Sequence, residues 1–167
     1  KGAELVLAGQ SILDDVQCLV LNSPSNVIFE GIKGKLNSHS SSWTYLQKEL
    51  PYQKFQLGDY LLNKFFGQHI PEDSRAQIDV SKISSPLLLL GSDVDEIWNA
   101  SSAIDDIISH YKGESILFKK YHETGHMLTV AYQPNHRYRK DWRLLMKESV
   151  DSWFATINYF DTHLKNL

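Results

Sequence analysis

Residues 86 to 98 read Pro-Leu-Leu-Leu-Leu-Gly-Ser-Asp-Val-Asp-Glu-Ile-Trp. A short, wholly apolar run with proline before it and glycine at its end predicts a strand buried on both faces, as in a parallel sheet. Asp93 and Asp95 follow at once. Acidic residues just past the C-terminal end of such a strand lie where open α/β sheets place their sites. A second apolar strand is expected at Ser115–Tyr121, and it leads into Glu123-Thr-Gly-His126. Between the two strands, Ile104, Ile107, Ile108 and Tyr111 follow the i, i+3, i+4, i+7 spacing of an amphipathic helix over Ala100–Tyr111, with Gly113 as its stop. Strand, helix and strand together predict a right-handed βαβ unit.

The 167 residues fit one domain, and a chain of this size buries roughly 70% of its unfolded surface. A net charge of −3 with no long basic run argues against nucleic acid as a partner. No apolar run is long enough to span a membrane, and no signal peptide is visible. The single cysteine, Cys18, has no partner for an internal disulfide, which fits a reducing, cytoplasmic setting.

Taken in order, Leu5, Leu7, Ala8, Ile12 and Leu13 have helical spacing within Lys1–Leu13. Val16–Leu21 is a strand by its β-branched and apolar content, with Cys18 near its centre. Asn22-Ser-Pro-Ser-Asn is a turn cluster. Gly31–Gly58 is the least regular stretch, serine-rich and then aromatic (Trp43, Tyr45, Tyr52, Phe55), and reads either as a surface connection or as a lid or binding loop over 31–58. A short helix is expected at Asp59–Phe66, and another turn from Pro71. The last helix is expected over Lys140–Leu164, with Trp142, Met146, Val150, Trp153, Ile157, Phe160 and Leu164 as its buried stripe.

Three stretches carry a family resemblance: Leu-Leu-Leu-Leu-Gly with Asp95-Glu-Ile-Trp98, Tyr121-His-Glu-Thr-Gly-His126, and Trp153 with the aromatic helix after it. Asn22-Ser-Pro-Ser-Asn to Gly31, Ser41–Tyr45 and Leu50–Tyr52 extend it across nearly the whole chain. In this order and spacing they resemble the acyl-CoA thioester hydrolase and bile-acid-CoA:amino-acid N-acyltransferase C-terminal family. The resemblance implies the C-terminal half of an α/β-hydrolase fold, with three parallel strands and flanking helices. An acid after one strand and a histidine after the next are then the rear two-thirds of the Ser…Asp…His order of such enzymes. Lys1-Gly2 resemble the last two residues of Gly-x-Ser-x-Gly, so the nucleophile, a serine, is expected directly before Lys1, and the elbow and N-terminal strands are absent from this chain.

By this resemblance Asp95 is the triad acid, which holds the imidazole in one tautomer, and His126 is the general base. Asp93 remains the alternative acid, because Asp93-Val-Asp95 is longer by one residue than the family's usual spacing from glycine to acid. Trp43 and Trp98 are the candidate substrate-binding residues, with simple packing as the other reading of each. His122-Glu-Thr-Gly-His126 also spells His-Glu-x-x-His, but that zinc motif needs a helix, and Gly125 in a post-strand turn is a poor helix residue. His122 and His136 are read as surface or loop histidines, Cys18 as a small buried apolar group, and Ser11 as no nucleophile because its surroundings lack the second glycine.

The function expected is thioester hydrolysis or acyl transfer of the serine-hydrolase type on an acyl-CoA, with no metal or redox cofactor. A carboxylesterase or peptidase of the same fold is the alternative. A reading of another class is a non-catalytic C-terminal fragment or interaction remnant, inactive by itself. A strand Val16–Leu21 without an upstream neighbour would offer an apolar edge, so the missing N-terminal half or a second copy is the expected partner.

Overall fold

The computed structural model describes residues 1–33, 36–54, 73–95, 97–126, 128 and 142–164. The expected helix at Asp59–Phe66, Pro71, Glu96, Met127 and His136 lie outside the described residues.

The centre of the molecule is a parallel sheet of three strands: β1 (Leu19–Asn22), β6 (Leu87–Ser92) and β7 (Ile116–Tyr121), in the order β1-β6-β7. Leu87 pairs with Leu19 on one side and with Ile116 on the other. All six residues of β6 are buried, as an apolar central strand requires. Its side chains alternate between two cores. Leu87 and Leu89 face a cluster with Leu7, Leu19, Leu21, Ile104 and Ile107. Leu88 and Leu90 face a smaller one with Tyr121 and Tyr159. Helices α1 (Gly2–Leu13) and α2 (Ala100–His110) supply the first core, and α3 (Trp142–Leu164) supplies the second. The fold is therefore α/β, a three-stranded parallel sheet with helices packed on its two cores.

Helix α2 joins β6 to β7 and starts at Asn99, whose Oδ1 accepts the Ser102 N–H at 3.0 Å. It lies tight against β6 because Gly91 has no side chain: a Cβ there would sit 2.6 Å from Ile104 Cδ1. Ladder pairing of β1 begins only at Leu19, whose N–H donates to the Pro86 carbonyl just before β6. The strand is thus shorter at its start than Val16–Leu21, and Cys18 lies half-buried ahead of it rather than at its centre.

Two helices are rotated from their expected faces. In α1 the buried residues are Glu4, Leu7, Ala8 and Gln10, while Leu5 (45% exposed), Ile12 and Leu13 point outward. Polar anchors set this rotation. Glu4 Oε1 accepts from Trp43 Nε1 at 2.8 Å and from the Phe29 N–H at 3.2 Å, and Gln10 Nε2 donates to Ser85 Oγ at 2.8 Å. In α3 the buried residues are Ser149, Ser152 and Tyr159, whereas Trp142, Trp153, Ile157, Phe160 and Leu164 of the expected stripe are exposed. Half-exposed Asp151 anchors this helix to β7: its Oδ2 accepts from Lys119 Nζ and from Tyr121 Oη, each at 2.8 Å. In the stretch that is least regular by sequence, the described residues form two antiparallel strand pairs, β2 (Glu30–Lys33) with β3 (Leu36–Ser41) and β4 (Thr44–Tyr45) with β5 (Lys48–Glu49).

Candidate active site

Strands β6 and β7 run parallel and in register, so the segments that follow them leave the sheet at the same end. The turn after β6 is closed by Ser92 Oγ, which accepts the Val94 N–H at 3.1 Å. Asp93 and Val94 are exposed, but Asp95 turns back inward, and its side chain is 1% exposed. Its Oδ1 accepts the N–H groups of Ile97 and Trp98, at 2.8 and 3.2 Å. Both oxygens face Nδ1 of His126, Oδ2 at 2.9 Å and Oδ1 at 3.2 Å.

A carboxylate accepts, so against Asp95 it is Nδ1 of His126 that donates, and in that tautomer of a neutral ring the proton-accepting lone pair is on Nε2. The histidine and the segment that carries it are held from three further directions. Trp98 meets it edge-on, with ring centroids 4.3 Å apart at 80°. The indole is itself fixed by donating Nε1–H to the carbonyls of Ser23 and Pro24, both at 3.2 Å, and by stacking on Phe29 at 5.9 Å. Ser23, buried at the end of β1 with φ 45°, donates its hydroxyl to the His126 carbonyl at 2.7 Å. On α3, Glu148 accepts the backbone N–H groups of His122, Glu123 and Thr124, which lead into the histidine. Burial pushes the Glu148 carboxyl up, but these N–H donors and the Thr124 hydroxyl outweigh it and hold the group below its ordinary value.

The structure thus brings Asp95, His126 and Trp98 together. Asp93 goes elsewhere: its Oδ2 lies 2.7 Å from Nδ1 of His122, in a pair whose side chains are 38% and 73% exposed. The two histidines of His-Glu-x-x-His therefore engage different carboxylates. Trp43 is half-buried in the first core, with its indole N–H committed to Glu4. From the N-terminus of α1, Lys1 reaches toward the pair through two rings. Its ammonium lies 5.4 Å from the centre of the Phe29 ring, and Phe29 stacks on Trp98.

Sequence reasoning did not single out Ser23 or Glu148. Ser23 had a weak signal, since it lies in the turn cluster after a strand. Glu148 had none, because one glutamate on a helix surface looks like any other until the fold sets it under a loop.

The sequence matches the family model described as BAAT / Acyl-CoA thioester hydrolase C terminal over residues 1–166. No curated protein matches the chain.

Proposed function

The chain belongs to the BAAT / acyl-CoA thioester hydrolase C-terminal family, and from that premise we propose that Asp95 and His126 are the acid and base of a thioester-cleaving triad. The nucleophile in this proposal is a serine directly before Lys1, because Lys1-Gly2 resemble the end of Gly-x-Ser-x-Gly. The observation that carries the reading is the buried Asp95 carboxylate on Nδ1 of His126, at 2.9 Å, beside the C-terminal ends of β6 and β7. The approach of Lys1 through Phe29 and Trp98 supports it, since it brings the start of α1 to the same side of the sheet.

In the proposed reaction the serine oxygen attacks the thioester carbonyl while its proton passes to Nε2 of His126. Asp95 holds the tautomer and stabilises the imidazolium. The tetrahedral intermediate collapses, the C–S bond breaks, and the imidazolium returns the proton to the departing thiolate. Water, deprotonated by the same nitrogen, then attacks the acyl-serine and releases the carboxylic acid. In an acyltransferase an amine takes the place of water.

Trp98, half-exposed beside His126, is proposed to line the acyl site, and residues 31–58, which carry Trp43, to cover it. Lys1 Nζ donates to Ser42 Oγ at 2.8 Å, and Ser42 Oγ donates to the Phe29 carbonyl at 2.7 Å, which ties that segment to the ring beside Trp98. The side of β1 away from β6, which no strand among the described residues pairs, and the exposed Leu5, Val6, Ile12 and Leu13 of α1 are proposed to be covered by the segment that supplies the serine. Cytoplasmic placement is proposed on the lone Cys18.

The test is turnover of the chain joined to its encoded upstream segment, on a panel of acyl-CoAs and simple esters. Release of CoA that His126→Ala lowers by about 10⁴-fold or more is the expected result. Cleavage of simple esters with acyl-CoAs left intact would overturn the thioester assignment, and full activity of His126→Ala would overturn the triad.

A further inference from the structure

The segment that presents His126 has no regular structure, yet it is fastened at both ends. At its far end Ser23 Oγ donates to the His126 carbonyl at 2.7 Å. At its near end, successive N–H groups converge on one carboxylate. Glu148 Oε1 accepts from His122 at 2.9 Å, and Oε2 from Glu123 at 3.0 Å and from Thr124 at 2.7 Å. The Thr124 hydroxyl donates to the same Oε2 at 3.0 Å, and Thr124 is 2% exposed. Consecutive backbone N–H groups aimed at one point form a nest for an anion. Here the anion is a side chain of the protein's own helix.

We propose that Glu148 is a positioning residue for His126: by gathering the N–H groups of residues 122–124 it fixes the loop in the one conformation that keeps Nδ1 on Asp95. The proposal rests on the reading of His126 as the base, but the geometry it explains is the Asp95–His126 bond itself. Glu148 touches no reacting atom and acts only through the loop. Losing it leaves three N–H groups and a buried hydroxyl without their acceptor, and the loop relaxes toward arrangements that water can satisfy. The Asp95–His126 distance is then no longer enforced.

A helix glutamate can also serve merely to dock α3. Asp151 separates the two roles, because its hydrogen bonds tie α3 to Lys119 and Tyr121 of β7, and among the described residues none of them goes to 122–126. The experiment follows the Nδ1 hydrogen of His126 by NMR in the 167-residue chain, in Glu148→Ala, in Glu148→Gln and in Asp151→Asn. Its solvent exchange is expected to be roughly tenfold or more faster in Glu148→Ala, the consequence of losing hydrogen bonds to a charged acceptor. Glu148→Gln keeps the length and one acceptor oxygen and is expected to fall between Glu148→Ala and the parent chain, so it decides the matter if Glu148→Ala does not fold. Asp151→Asn is expected to leave the exchange unchanged. Exchange at the parent rate in the Glu148 variants, or equal acceleration in Asp151→Asn, would overturn the proposal. No turnover enters the measurement, so failure of the thioesterase reading would leave its result standing, and the reverse also holds.

Discussion

The Asp93 N–H donates to the Tyr121 carbonyl at 2.9 Å, carrying the hydrogen-bonding between β6 and β7 past the last paired residues, Ser92 and Tyr121. The acid turn and the histidine loop therefore begin side by side, pinned backbone to backbone. From that shared start the Asp93 side chain stays outside, on His122, and Asp95 folds in under Trp98 to reach His126. The two aspartates end in opposite environments although only Val94 separates them.

That division predicts unequal mutants. Asp95→Asn places an amide against Nδ1 and permits the wrong tautomer, so turnover of the parent enzyme is expected to drop by about 10⁴-fold. Asp93→Asn alters an exposed contact with His122, of a kind worth about 0–1 kcal/mol, and is expected to leave turnover within a small factor of the parent. Steady-state kinetics on the best acyl-CoA substrate decides, and a larger loss for Asp93→Asn would reassign the acid.

Trp98→Phe should keep most of the ring contact with His126 and Phe29 but lose the indole N–H that serves the carbonyls of Ser23 and Pro24. The expected cost is about 1–3 kcal/mol, the penalty for buried acceptors left unsatisfied. Urea denaturation reads it directly. An unchanged midpoint would mean that water replaces the indole at no cost.

Stability should also depend on pH through α3. The carboxyl of Asp151 is held below its ordinary value first by Lys119 and then by Tyr121, against burial that raises it, and that of Glu148 by its loop donors. A carboxylate depressed in the folded state binds fewer protons there than in the unfolded chain. Its stabilisation is thus complete above the unfolded pKa, about 4, and fades as pH falls through the lower folded value. Urea midpoints measured from pH 6 down to pH 3 are expected to fall, and to fall less in Glu148→Gln. Parallel curves for the two proteins would remove Glu148 from the account.

On α1, neighbouring residues should behave oppositely. Glu4 is 1% exposed and accepts from Lys1, Phe29 and Trp43, so Glu4→Leu is expected to cost about 1–3 kcal/mol by stranding these partly buried donors. Leu5 is 45% exposed, and Leu5→Gln in the 167-residue chain is expected to stay within about 0.5 kcal/mol. With the upstream segment attached, the same Leu5→Gln substitution should become destabilising. If it stays neutral there, that segment does not cover this face of α1.

The sequence alone determined what short-range physics specifies. A wholly apolar run between proline and glycine has only a doubly covered strand to become, and it is β6. Isoleucines spaced by 3 and 4 have one face to bury, and the helix is α2. Asp95 and His126 follow strand ends, which puts both at one edge of any parallel sheet. Tertiary structure decided the rest. Apolar spacing in α3 offers a stripe through Trp153, Ile157 and Phe160, but the helix turns Ser149, Ser152 and Tyr159 inward, and in that rotation Glu148 meets the loop before His126 and Asp151 meets Lys119 and Tyr121. Helix α1 buries Glu4 in preference to Leu5 for the same kind of reason, its acceptor being needed by Trp43 and Phe29. Which aspartate meets His126, and the bonds that Ser23 and Glu148 make to its loop, depend on hydrogen bonds between residues 24 to 103 positions apart. Partners of that kind leave no periodicity and no local motif, so only the folded chain, which brings them within 3 Å of one another, reveals them.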